Sequence, residues 1–360
     1  MERLSLEISL YLIVFFSILI FTFLITFPKK SYEKEKLFFW VTFTILFLIS
    51  ALRGPQIGTD TANYIRGFKR ISNAEYSNFF NVVRWEEGYV LFNKIISILS
   101  NSPQIIIIFT SLLILSCVFY FINRNSKNII FSIYIFVTMF YYFASFNIIR
   151  QFLAIGIILI AYKFILERRI VPFAALILFA STFHGLAILF LPVYFLYGVK
   201  LNKLNTIIIT FGVTFFVYFF EKILNIIFEF FPSYQWYVDT DYFEGGGILT
   251  SLISASILVF GFLIRQITKI SKEYDFLLIL TILSLLISLL SMKVSILNRF
   301  DYYFSVFNIL FIPLAINSIE DKKTRIIIYY VVYCIAFLYF LARLIEGFHG
   351  VTPYNFFFRY

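Results

Sequence analysis

Charge is scarce in this chain. Asp, Glu, Lys and Arg supply 14% of its 360 residues, against about 25% in soluble domains, while 61% of the residues are hydrophobic and the mean hydropathy is +0.89. That balance excludes a soluble globular protein and leaves a polytopic membrane protein. Histidine and cysteine are scarcer still, with two of each. Cys117 and Cys334 both lie inside apolar runs as small buried hydrophobes, so neither a disulfide framework nor a thiolate metal site is indicated. No HExxH, CxxC or acidic metal loop occurs, and no metal or other cofactor is expected. Apolar and polar residues do not alternate within the long runs, which excludes a transmembrane β-barrel.

What is present is a series of continuous apolar runs with short polar connections. At about 20 residues per span, the length leaves no room for a separate soluble domain. The expected fold is therefore an all-α, membrane-embedded bundle of about 11–13 helices, some of them short or re-entrant, forming one domain over residues 1–360. The formal charge of +10 would suit nucleic acid, but the basic residues sit mostly as pairs between apolar runs. That is the pattern of topology signals, and no nucleic-acid partner is expected.

The first run, about 7–27, lacks a basic start and a small-residue cleavage site, so it reads as a retained helix. Lys29, Lys30, Lys34 and Lys36 follow it and assign that loop to the cytoplasm, which puts the amino terminus and the interval 53–87 outside. The run at about 88–100 is short for a span and reads as re-entrant or interfacial. Runs at about 104–122, 128–145 and 147–167 come next, then an outward hairpin of two short helices over 171–197 with Ser181, Thr182, Phe183 and His184 at its tip. Later runs, at about 204–230, 247–267, 275–292, 299–317 and 326–345, alternate regularly. They enclose an acidic external loop, 231–246, with Asp239, Asp241 and Glu244.

Polar residues concentrate between Arg53 and Tyr89, where Arg53, Arg66, Lys69, Arg70 and Arg84 share a stretch with Asp60, Glu75, Glu86 and Glu87, punctuated by Gly54, Pro55, Gly58 and Gly67. Arg150 and Arg299 fall at the same level, at span ends beside Asn147 and Gln151 in one case and Asn298 and Asp301 in the other. Charges bordering hydrocarbon are costly and mark function. A guanidinium does not deprotonate and its planar fork matches phosphate oxygens, so external arginines point to an anionic ligand, whereas Lys69 and Arg70 read as snorkelling to headgroups. Asp60 has two readings, the cap of a short helix or an acceptor for a sugar hydroxyl. His184, at the hairpin tip, is suited to proton transfer near neutral pH, while His349 in the polar tail reads as structural.

Six blocks in order, LRGPQIGTDTANYIRGF, EEGYVLFNKI, FNIIRQFLAIGI, STFHGLAILFLPVY, ILNRFDYYF and TPYNFFF, resemble the EpsG family of bacterial membrane proteins, grouped with Wzy-type polymerases of exopolysaccharide, capsule and O-antigen. The resemblance covers nearly the whole chain. It implies a glycosyltransferase of the cytoplasmic membrane that joins undecaprenyl-pyrophosphate-linked oligosaccharide units on the outer face, with membrane lipid, a chain-length regulator and a flippase as partners. Family positions fall on Arg53, Gly58, Asp60, Tyr64, Glu87, Gly88, Tyr89, Arg150, Gln151, His184, Arg299 and Tyr303. The catalytic candidates are Arg150 and Arg299 for the charge that develops on the pyrophosphate, and His184, Asp60 or Glu87 for the proton. Arg53, Gly58, Tyr64, Arg66, Tyr89, Gln151 and Tyr303 are the substrate-binding candidates. A flippase for the same glycolipid, or a ligase-like transferase, is the alternative.

Overall fold

Hydrocarbon offers no partner to a peptide group, so an uninterrupted run of Leu, Ile and Phe satisfies its backbone by coiling. The computed structural model describes residues 11–12, 31–202, scattered positions between 205 and 229, and 247–268, 270–292 and 297–359. Helix dominates these residues, and no strand occurs among them. Most of the expected first span at 7–27, most of the span at 204–230 and the loop 231–246 lie outside the described residues.

The helices are α1 (Tyr32–Ala51), α2 (Thr61–Asn73), α3 (Glu87–Ser97), α4 (Gln104–Asn125), α5 (Ile129–Thr138), α6 (Tyr141–Asn147), α7 (Ile149–Leu166), α8 (Ile170–Ser181), α9 (Ile248–Ile267), α10 (Lys272–Ser291), α11 (Leu297–Ser305), α12 (Asn308–Asn317) and α13 (Lys322–Ile345). Among the described residues five of them, α4, α7, α9, α10 and α13, are long and apolar enough to cross a membrane. The pairs α5/α6 and α11/α12, bent by 50° and 43°, raise the number to seven if each is one broken span. α3 has 11 residues and rises about 16 Å, half of a hydrocarbon core of about 30 Å, so it does not cross.

Local sequence explains the boundaries. Ser31, Asn128 and Ser271 each precede a helix and accept the N–H of the residue three further on, so α1, α5 and α10 start where a capping side chain stands. Phe140, at φ 68°, leaves the right-handed region and separates α5 from α6. The expected hairpin at 171–197 consists of α8, a turn at 182–184 and a 3-10 segment, Gly185–Leu196, that contains Pro192.

The chain divides into two compact units, one of residues 1–161, 178–184 and 329–360, the other of 162–177 and 185–328. In the first, α1 lies along α4, where the Ser50 and Ser111 hydroxyls meet at 2.7 Å, and α2 packs on α3 through Ile71, Phe79, Val90 and Trp85. Lys94 on α3 is buried and donates to the carbonyls of Ile71, Ser72 and Ala74, which closes the carboxyl end of α2. In the second, Arg168 donates to the Tyr194 and Tyr197 carbonyls at 3.2 and 2.8 Å, tying the two arms of the hairpin together. Buried Ser251 and Ser254 on α9 face Ser284 and Ser288 on α10, small residues that let two helices approach closely.

Candidate active site

The first unit assembles a polar site around the break between α6 and α7. Ile148 departs from helical geometry, with ψ 59°, so the chain turns there. Asn147 closes α6 on one side of the turn and Arg150 opens α7 on the other. Asn147 is 2% exposed and its Oδ1 accepts two bonds, from the Thr59 hydroxyl at 2.6 Å and the Asp60 backbone N–H at 2.8 Å. This fastens the turn at 58–61 to the α6 terminus. Gly58 sits at φ 91°, and a Cβ there would come within 3.0 Å of the Phe146 carbonyl, so only glycine serves.

Asp60 stands at the N-cap of α2, yet its side chain makes no capping hydrogen bond. Helix capping therefore does not account for this carboxylate. The tail closes over the same turn: Gly58 N–H donates to the Gly350 carbonyl at 2.9 Å, Thr59 N–H to that of His349 at 3.2 Å and Gly54 N–H to that of Asn355 at 2.7 Å. Arg53 and Phe356 form an antiparallel bridge, and the His349 Nδ1 lies 3.0 Å from Asn147 Nδ2.

Arg150 is ion-paired with Glu86, each side chain about one fifth exposed, and its guanidinium lies 5.7 Å from the centre of the Trp85 ring. Trp85, Tyr64 and Tyr89 form an aromatic group with centroids 5.4 to 6.0 Å apart. A guanidinium over an aromatic ring beside a carboxylate can bind an anion such as phosphate, because its planar fork matches the phosphate oxygens. Burial pushes the Tyr89 phenol well above its ordinary range, so it stays neutral.

The turn that bears His184 docks on the first turn of α3. Thr182 accepts the Tyr89 backbone N–H at 3.3 Å, and a Cβ on Gly88 would lie 2.3 Å from Thr182 Oγ1 and 2.7 Å from its carbonyl oxygen. Two effects oppose each other in Gly88→Ala. Helix propensity favours alanine by about 1 kcal/mol, while a clash against backbone costs about 1–3 kcal/mol. The clash should win: purified Gly88→Ala is expected to melt at a lower temperature than the wild type. An equal or higher melting temperature would mean that the 182–184 turn is not seated on α3.

The first unit holds Arg53, Gly58, Asp60, Tyr64, Arg66, Glu87, Tyr89, Arg150, Gln151 and His184, whereas Arg299 and Tyr303 belong to the second unit, on α11. Their settings differ. Gln151, His184, Tyr89, Tyr64 and Tyr303 are buried, and Arg66 is exposed and donates to Asn63. Glu87 is exposed on the first turn of α3, and it is Glu86, one residue earlier, that meets Arg150. Arg53 is 1% exposed; its two terminal nitrogens donate to Ser50, Ser111 and the Phe146 carbonyl, while its buried Nε has no hydrogen-bond partner among the described residues. Sequence reading weighed Glu86 beside Glu87 but carried only Glu87 forward as a site candidate, and it did not name Trp85, Asn147 or His349 as site residues, though each stood in or beside a block that drew attention. Among the described residues no three His, Cys, Asp or Glu side chains gather in a way that could hold a metal ion.

A helical bundle with this many apolar helices of membrane-crossing length is an integral membrane protein. Residues 36–356 match the model of the EpsG family, and the chain belongs to that family. The membership supports a polysaccharide-polymerase-like role in the membrane. No curated protein and no solved structure matches the chain.

Proposed function

We propose that the protein is a Wzy-type polymerase that joins undecaprenyl-pyrophosphate-linked oligosaccharide units into exopolysaccharide, capsule or O-antigen at the outer face of the bacterial cytoplasmic membrane. The hydroxyl at the non-reducing end of one lipid-linked unit attacks the anomeric carbon of the chain carried on a second lipid. A glycosidic C–O bond forms, the C–O bond to pyrophosphate breaks, and lipid pyrophosphate leaves as an anion. The hydroxyl proton passes to His184, Asp60 or Glu87. Because the leaving group is already activated, the main requirement is to stabilise the negative charge that develops on it, the task of Arg150.

The observation that carries this reading is Arg150, positioned at a helix break by Glu86 and set beside Trp85, Tyr64 and Tyr89. Charge and aromatic surface meet there, as a phosphorylated sugar requires. Sizing lipid-linked glycans from a strain without the gene tests it: single repeat units on the outer leaflet are expected in place of a ladder. An undiminished ladder would refute polymerisation, and units retained on the inner leaflet would identify a flippase.

A further inference from the structure

His349 sits in the tail, 202 residues from its partner Asn147, at the left-handed φ of 63°. Asn147 decides how the imidazole is protonated. A peptide N–H can only donate, so the Asp60 N–H at 2.8 Å identifies the atom facing it as the amide oxygen, and the Thr59 hydroxyl donates to the same oxygen at 2.6 Å. The amide nitrogen is then the atom 3.0 Å from His349 Nδ1. An NH2 group donates, so Nδ1 accepts and its ring carries the proton on Nε2. The ring is also held in place: its centroid is 4.2 Å from that of Phe348 and 6.4 Å from that of Phe140, and its own backbone carbonyl is bonded to Thr59.

We propose that His349 is a positioning residue of this site, set by Thr59 and Asn147 to donate a hydrogen bond from Nε2 to an anionic oxygen, and that it is not the proton acceptor of the transfer. A ring that already bears its proton on Nε2 cannot take another there. Accepting one on Nδ1 would turn an N–H toward the Asn147 NH2 and break the bond that fastens the tail. The donor role rests on the reading of the Arg150 site given above, whereas the tautomer does not.

Nitrogen-15 NMR of histidine-labelled full-length protein in nanodiscs measures the tautomer directly. With two histidines in the chain, His349→Gln removes one set of signals and assigns the other. An unprotonated Nδ1 and a protonated Nε2 are expected for His349; a protonated Nδ1 would overturn the proposal. Adding undecaprenyl pyrophosphate tests the acceptor: a shifted Nε2 signal is expected if His349 donates to the phosphate, and an unshifted one would overturn the donor role.

Two variants then read the donor itself. Gln presents an amide N–H about where Nε2 stands, whereas Asn keeps an acceptor for Asn147 and loses the distal donor. Loss of one hydrogen bond to a charged group amounts to about tenfold or more, so His349→Asn should yield about one tenth or less of the polymer made by His349→Gln. Equal, wild-type ladders from both would reduce His349 to a tether for the tail. Should Arg150→Ala still polymerise while the NMR result holds, the functional reading fails and the tautomer stands.

Discussion

Arg150→Ala is expected to eliminate the polymer ladder while protein remains in the membrane at its normal level. The two effects of the substitution differ in size. Removing a fixed donor that stabilises charge in the transition state costs about 100- to 1,000-fold in rate. The ion pair with Glu86 is partly solvated, with about one fifth of each side chain exposed, and such pairs contribute about 0–1 kcal/mol to stability. Activity should therefore collapse without a matching loss of folded protein. Arg150→Lys should recover only part of the activity, since it restores the charge without the planar fork. Glycan sizing together with quantified membrane protein checks this, and a normal ladder from Arg150→Ala would remove the residue from the site.

Arg53→Ala should do the reverse, unfolding the protein rather than only silencing it. Its guanidinium joins three elements, donating to the Ser50 carbonyl and hydroxyl on α1, to the Ser111 hydroxyl on α4 at 3.2 Å and to the Phe146 carbonyl on α6 at 3.3 Å. It also lies 4.7 Å over the Phe146 ring. Burial pulls its pKa down to about 10 against the opposing pull of Tyr142, Tyr354, Tyr11 and Tyr89, so it is still charged at neutral pH. Alanine relieves the burial of that charge. It also forfeits charge-assisted hydrogen bonds worth about 1.5–3 kcal/mol each and leaves a cavity that costs about 2–5 kcal/mol.

The losses exceed the relief, and Arg53→Ala is expected to lower the melting temperature and the amount of folded protein sharply. Arg53→Met fills most of the volume and should be milder. If Arg53→Ala melts like the wild type and yet makes no polymer, the side chain belongs to the substrate site rather than to the framework.

These two arginines mark the boundary of what the sequence conveys. Both stand at the end of an apolar run beside small polar residues, so both read as bordering the membrane and as candidates for an anion. Only packing separates them: Arg53 points back among α1, α4 and α6, and Arg150 forward to Glu86 and Trp85. The carboxylates show the same limit. Glu86 and Glu87 are adjacent in sequence, but Glu86 is the extended N-cap residue and Glu87 the first residue of α3, and this change of backbone geometry sends one to Arg150 and leaves the other exposed.

By itself the sequence determined that the chain is an all-α membrane protein with short polar connections, because continuous apolar runs satisfy their backbones in hydrocarbon only as helices. It pointed, too, to 53–89 and the polar ends of later runs as the places to look for chemistry, since charge bordering hydrocarbon is costly. Tertiary structure alone decided that the tail folds back on the turn at 58–61 and that His349 reaches Asn147. Neither contact leaves a local signature. Each depends on a chain reversal hundreds of residues away, held by backbone hydrogen bonds that any sequence can make and by one asparagine whose orientation is set by its neighbours.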